Sequence, residues 1–304
     1  MKLSSKILLV IALLLVGMQG VALTNYWRDR RNLEALFDRI ASPSLPPSEQ
    51  AKLIANYLEM KSADTNNSYF LLPMLRFLRA TAWQAANQGG DCADRSRLMV
   101  ALLRLRGIKA SKWALYAPNG SPVHAVVELE SEQGRMVVDP LFDMWFPRPE
   151  GGYYAIQDLE QNPEILRQRV LSLRASGEEP VGWVVNGYPL NLYVYDHVRT
   201  INWDKSAHMR VIYGVLYRFM GERADRISRP FFVEWPSLMS VFGIGGLEAL
   251  LLLVWLSLRW RTRRRGTAEG HLSVMSASQR SVTPLGPLSG RALSREGATR
   301  RSSK

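Results

Sequence analysis

Cysteine is nearly absent from this chain: there is one, Cys92, in 304 residues. One thiol has no intramolecular partner, which excludes a disulfide framework. Histidine is also scarce, at four residues. His197 and His208 lack a cysteine or carboxylate neighbour at ligand spacing, so no metal centre is expected, and no cofactor. The middle of the chain also lacks an excess of charge. Net charge is +12, yet residues 259–304 hold eleven Lys or Arg against two Glu, and Lys2 and Lys6 account for two more. A near-neutral centre removes the electrostatic footprint of a nucleic-acid binder.

Two long apolar runs are present instead. Residues 7–23 follow Lys2 and Lys6 and read as an uncleaved transmembrane anchor, with cleavage near the small residues Gly20 and Ala22 as the alternative. Residues 238–258 are preceded by Trp235 and Pro236 and carry Trp255 and Trp260 at the far end. Arg259, Arg261, Arg263, Arg264 and Arg265 come next. Aromatic ends and a terminal basic cluster mark a membrane span with its C-terminal side in the cytoplasm. Arg28, Arg30 and Arg31 count against that orientation but are outweighed by the five arginines. The expected layout in the cell membrane is a cytoplasmic start (1–6), an anchor (7–23), an extracytoplasmic domain (24–235), a span (238–258) and a basic, disordered cytoplasmic tail (259–304). Within the second span Glu248 lies near Gly243, Gly245 and Gly246. A membrane carboxylate beside small residues hints at an intramembrane helix partner, with a glutamate that is protonated or faces an interior as the alternative.

The domain is organised around Gly89-Gly90-Asp91-Cys92. Behind it Leu98, Ala101, Leu102 and Leu105 recur at helical spacing and Gly107 supplies a stop. Cys92 therefore falls at a helix N-terminus, where free N–H groups and the helix dipole favour thiolate. A lone cysteine is otherwise a small buried hydrophobe, and residues further along decide for chemistry. Residues 108–116, 123–130 and 136–140 are β-rich segments separated by turns at Pro118-Asn119-Gly120 and Glu132-Gln133-Gly134, which predicts an antiparallel meander. His124 near the start of the middle strand and Asp139 at the end of the third are then brought together. Nucleophile, base and orienting carboxylate follow in the order Cys, His, Asp.

Gly-x-Cys opening a helix that ends Leu-Arg-x-x-Gly-Ile, then His before alternating apolar residues, then Asp-Pro closing the next strand, resembles the transglutaminase-like superfamily in a membrane-anchored, bacterial-type form. The resemblance runs from about residue 53 to 139 and places the motif on Cys92, His124 and Asp139. It implies an α+β, papain-like core over about residues 50–140, with the cysteine helix packed on an antiparallel sheet. One position departs: many members carry an aromatic two after the histidine, where this chain has Val126.

Around that core, helices are expected from Pro46-Pro47 through residues 51–60 and over residues 70–86, the second interrupted early by Pro73. Gln88 is the candidate side-chain donor to an oxyanion hole, and Trp83 is read as packing. Residues 145–149 read as a loop and 157–172 as one or two helices. Residues 181–185 and 190–195 flank Asn186-Gly187 like a hairpin, and residues 205–220 form an amphipathic helix leading toward the membrane. The function expected is acyl transfer on amide bonds of a peptide or protein in the cell envelope, either hydrolysis (peptidase or amidase) or transfer to an amine (transglutaminase). The rival is a non-catalytic, membrane-tethered scaffold for cell-envelope or exopolysaccharide assembly.

Overall fold

The computed structural model describes residues 2–61, 80–181, 183, 189–191, 197–205 and 207–280. The chain divides into two units, residues 1–248 and 249–304. Helix α1 (Lys2–Ile40) joins the first apolar run and the arginines behind it in one element. Its far end turns from lipid-like to core-like: Leu33, Leu36 and Phe37 are buried at helical spacing. Helix α2 (Pro47–Glu59) opens with proline in its first turn, where the missing N–H costs nothing, and buries Ala51, Ile54, Ala55 and Leu58.

Helix α3 (Ala82–Gln88) is started by a capping box. Gln84 N–H donates to Thr81 Oγ1 at 3.1 Å and Thr81 N–H to Gln84 Oε1 at 2.7 Å. That cap corrects the expectation of one helix over 70–86: Ala80 and Thr81 are non-helical, and residues 70–79 lie outside the described residues. Helix α4 (Cys92–Leu105) is buried on every side from Asp94 to Leu103, not along one stripe as its leucine spacing suggested. It is enclosed by the sheet, by α2 and α3, and by the end of α1.

Strands β1 (Ala110–Tyr116), β2 (Pro122–Ser131), β3 (Gly134–Asp139), β4 (Met144–Trp145) and β5 (His197–Arg199) form one antiparallel sheet in the order β4-β3-β2-β1-β5. The meander expected for residues 108–140 is its centre. Residues 145–149, expected as loop, supply Trp145 to β4 and a bridge from Pro147 to Tyr153. Alternation along the strands feeds two cores. Ala110, Val127, Leu129, Met136 and Val138 pack on the α4 side. Trp113, Leu115, Val126, Val137 and Met144 pack on the other, under α5 (Ile156–Gln161) and α6 (Glu164–Ser176). Helices on both faces of an antiparallel sheet make the fold α+β.

Of the hairpin expected around Asn186-Gly187, most residues lie outside those described; Pro189–Asn191 is a 3-10 turn and the added strand is β5. Helix α7 (Ala207–Met220) matches its expected amphipathic segment. Helix α8 (Pro236–Arg280) contains the second apolar run and continues through residues 266–280, which were expected to be disordered. Ala268, Glu269, Leu272, Met275 and Gln279 are good helix formers, and extending an existing helix avoids the cost of nucleation. Helix stretches Ile7–Ile40 and Pro236–Trp260 are long and apolar enough to cross a membrane. Gln19 of α1 donates its side-chain amide to the carbonyl of Val241, at 3.2 Å. A Cβ on Gly245 would lie 3.0 Å from that amide. Gly245 thus leaves room for the first helix, while a Cβ at Gly243 or Gly246 would meet nothing within 4 Å among the described residues.

Candidate functional site

The turn from α3 into α4 is built for close quarters. Gly89 has φ 81°, a left-handed conformation that costs glycine nothing. A Cβ at Gly90 would stand 2.7 Å from the Cβ of Asp94, so no larger residue fits without a shift. Asp91 caps the helix, accepting the Asp94 N–H at 2.9 Å. Cys92 is thereby the first residue of α4, half-buried and packed against the second core.

The helix is tied to the strand it must face. Ser96, fully buried one turn after Cys92, donates its hydroxyl to the carbonyl of Ala125 at 3.0 Å. His124 is the adjacent residue of β2. On the other side, the Val127↔Val138 register, extended by one pair, sets Asp139 opposite Val126. His124 and Asp139 are then diagonal neighbours on one sheet face. His124 Nε2 lies 2.6 Å from Asp139 Oδ2, with the His and Asp side chains 1% and 0% exposed. The other carboxylate oxygen accepts the N–H groups of Leu141 at 2.8 Å and Phe142 at 3.2 Å, which fixes its direction. The Phe142 ring packs at 5.4 Å from the imidazole.

Burial alone would pull the His124 imidazole down, since a charge in an apolar site is costly. The Asp139 carboxylate, and to a smaller extent Cys92, override this and push it up to about 10. Cys92 is a side-chain hydrogen-bond neighbour of His124. With Nε2 committed to Asp139, Nδ1 is the ring nitrogen available to the sulfur. All three residues singled out in the sequence are therefore brought together.

Two members of this surround carried no sequence signal. Arg95 is 2% exposed and donates to three backbone carbonyls: Gly90 at 3.1 Å, Glu59 at 3.4 Å and Lys61 at 2.6 Å. It clamps the loop before Cys92 to the end of α2. Burial lowers its pKa, while the carboxylate of Asp139 and the Cys92 sulfur act in the opposite sense. Ser96 is the other. Both look like surface residues of an amphipathic helix until the layers close over them.

The remaining candidates fall as follows. Gln88 is the exposed last residue of α3, four before Cys92. Trp83 is partly buried against the first core. Val126 is 0% exposed in the second core, so the position two after His124 serves packing. His197 pairs with Asp225 at 3.2 Å, and His208 is exposed. Among the described residues no cluster of three or more His, Cys, Asp or Glu could hold a metal ion. A cavity of about 670 Å³, lined by Arg104, Lys109, Glu128, Arg135, Arg226 and Phe231 among others, includes none of Cys92, His124 and Asp139. No family model, curated protein or solved structure matches the chain.

Proposed function

We propose that this chain is a membrane-anchored thiol enzyme that transfers acyl groups from amide carbonyls, on a transglutaminase-like, papain-like core. The reading rests on one observation above all: a buried His124–Asp139 pair at 2.6 Å beside a half-buried cysteine at the first position of a helix. A packing cysteine needs neither a charged imidazole nor a carboxylate aligned behind it.

Asp139 holds the imidazole with Nε2–H toward its carboxylate, and the imidazolium facing Cys92 favours the thiolate. The sulfur attacks the amide carbon, and the carbonyl electron pair moves to oxygen as a tetrahedral intermediate forms. The backbone N–H of Cys92, in the first turn of α4 where N–H groups lack helical partners, supports that oxyanion, with Gln88 as the second donor. On collapse the C–N bond breaks, the leaving nitrogen takes the His124 proton, and a thioester remains on Cys92. Water or an amine then adds to the thioester as His124 accepts its proton, and the sulfur departs as thiolate, which restores the ion pair with the imidazolium. Water gives a peptidase or amidase, an amine a transglutaminase.

With the arginines behind the second span in the cytoplasm, residues 24–235 face outward and the substrate is a peptide or protein amide of the cell envelope. The test is intact-mass spectrometry of the full chain in micelles after incubation with a haloacetamide, beside Cys92→Ser and His124→Ala. A single adduct that requires Cys92 and slows sharply without His124 is expected. Labelling of His124→Ala at the wild-type rate would remove the base and leave a binding scaffold as the better reading.

A further inference from the structure

Helix α7 has no buried residue, yet it is not a polar helix. One face is held to the protein: Tyr213 stacks on Trp203 at 5.7 Å and lies under the Arg199 guanidinium at 5.0 Å, with Met209 and Leu216 half-buried on the same side. A second face is apolar and open. Val211, Ile212, Val215 and Phe219 fall within about 100° of arc at 3.6 residues per turn, and they are 68%, 49%, 53% and 82% exposed. His208 closes this stripe at its N-terminal end. Arg218 borders the stripe and Arg210 lies further round, and the helix contains no Asp or Glu. Nearby carboxylates are engaged elsewhere: Asp204 with Arg199, and buried Asp225 with Arg199 and His197. Glu222 follows the helix, next to Arg223 in sequence.

We infer that α7 is an interfacial helix that lies in the surface of the same bilayer the chain is anchored in, with Phe219 and Val215 among the acyl chains and the arginines at the headgroups. Three features favour lipid over a protein groove. An open apolar stripe bordered by Arg218, on a helix that carries no carboxylate, matches an anionic headgroup layer. Residues 221–235 lead from the end of α7 into the apolar stretch Pro236–Trp260, so the tether keeps the helix close to the membrane. The stripe also leaves apolar surface in water: Phe219 is 82% exposed, and insertion would remove that surface from solvent. The consequence for the proposed enzyme is orientation. With β5 and the Arg199 network gripping its inner face, a seated α7 fixes how the sheet carrying His124 stands over the bilayer.

This inference rests on the membrane anchoring of the proposed function, and the test separates the two. In a Cys92→Ser chain, which has no other thiol, single cysteines are placed at Phe219, Val215, Arg210 and, inside the second span, Leu250. Each is labelled with an environment-sensitive fluorophore and reconstituted full-length in vesicles of zwitterionic and anionic phospholipid with acyl-chain nitroxide quenchers. Several-fold stronger quenching at Phe219 and Val215 than at Arg210, together with quenching at Leu250, is expected. Quenching at Leu250 but not at Phe219 would overturn the interfacial helix and leave the anchor standing. Absence of quenching at Leu250 would overturn both. Energy transfer between Phe219 labels on different copies, without lipid quenching, would assign the stripe to self-association and equally overturn the inference.

Discussion

Replacing Asp139 with asparagine preserves the shape of the residue and the carbonyl oxygen that can accept the Leu141 and Phe142 N–H groups, but removes the charge beside His124. In the wild type the imidazole is raised from 6.5 to about 10. At about 1.4 kcal/mol per pH unit, that interval corresponds to about 5 kcal/mol of preference for the protonated folded state. This contribution is fully present below about 6.5 and is lost as pH rises through about 10. In Asp139→Asn only burial remains of the two main influences, and burial disfavours the charged ring. The midpoint should then fall below 6.5, and the sign of the linkage reverses: the variant loses stability on acidification, where the wild type loses it on alkalinisation. Histidine-selective NMR of the full chain in micelles, with the resonance assigned by His124→Gln, reads the midpoint directly; melting temperatures at pH 6 and pH 9 read the linkage. A wild-type His124 that titrates near 6.5, or an Asn variant with the wild-type midpoint, would refute the claim that this carboxylate sets the charge of the base.

Ser96→Ala deletes the 3.0 Å bond to the Ala125 carbonyl and leaves that acceptor buried, which should cost about 1 to 3 kcal/mol and slow Cys92 alkylation, because the same tie holds the thiol opposite His124. Thermal unfolding and haloacetamide rates measured together check this; unchanged rates in a destabilised variant would show that Ser96 only stabilises. Asp143 has φ 46°, and burial raises its carboxyl to about 6, with Glu59 and Asp139 adding to the rise and its bond to Asn56 opposing it. The charged form is therefore penalised above about 6 and the penalty fades as pH falls through 6 toward 3.8. Asp143→Asn, which also suits a left-handed backbone, should gain about 3 kcal/mol at pH 7.5 and little at pH 4 in paired melting curves. An equal gain at both would trace the effect to backbone conformation alone.

The local elements were legible because their signals are local. Cys92 after two glycines, leucines at helical spacing, and turn residues at Asn119-Gly120 and Gln133-Gly134 mark α4 and the three-stranded centre of the sheet. The two apolar runs are visible by length alone. Period-2 alternation with short turns is enough to put His124 and Asp139 on one face, since the side-chain period permits few registers. Where neighbouring elements override a local pattern, the reading failed. Tail residues 266–280 were expected to be disordered from composition, yet they continue a helix nucleated inside the second apolar run.

By itself, then, the sequence determined α4 and the three strands that follow it, the membrane-length helices and the three candidate site residues Cys92, His124 and Asp139, because helix and strand periodicity and chain-end charge are properties of short segments. Only the tertiary structure decided that α4 is enclosed on all sides, that Arg95 is a buried clamp and Ser96 a strut, and that α1 runs on from its apolar stretch into the core. It alone decided the charge of His124. That charge depends on a carboxylate 15 residues away in sequence and 2.6 Å away in space, inside a layer from which both cores exclude water. Burial and proximity belong to pairs of segments, and no single segment encodes them.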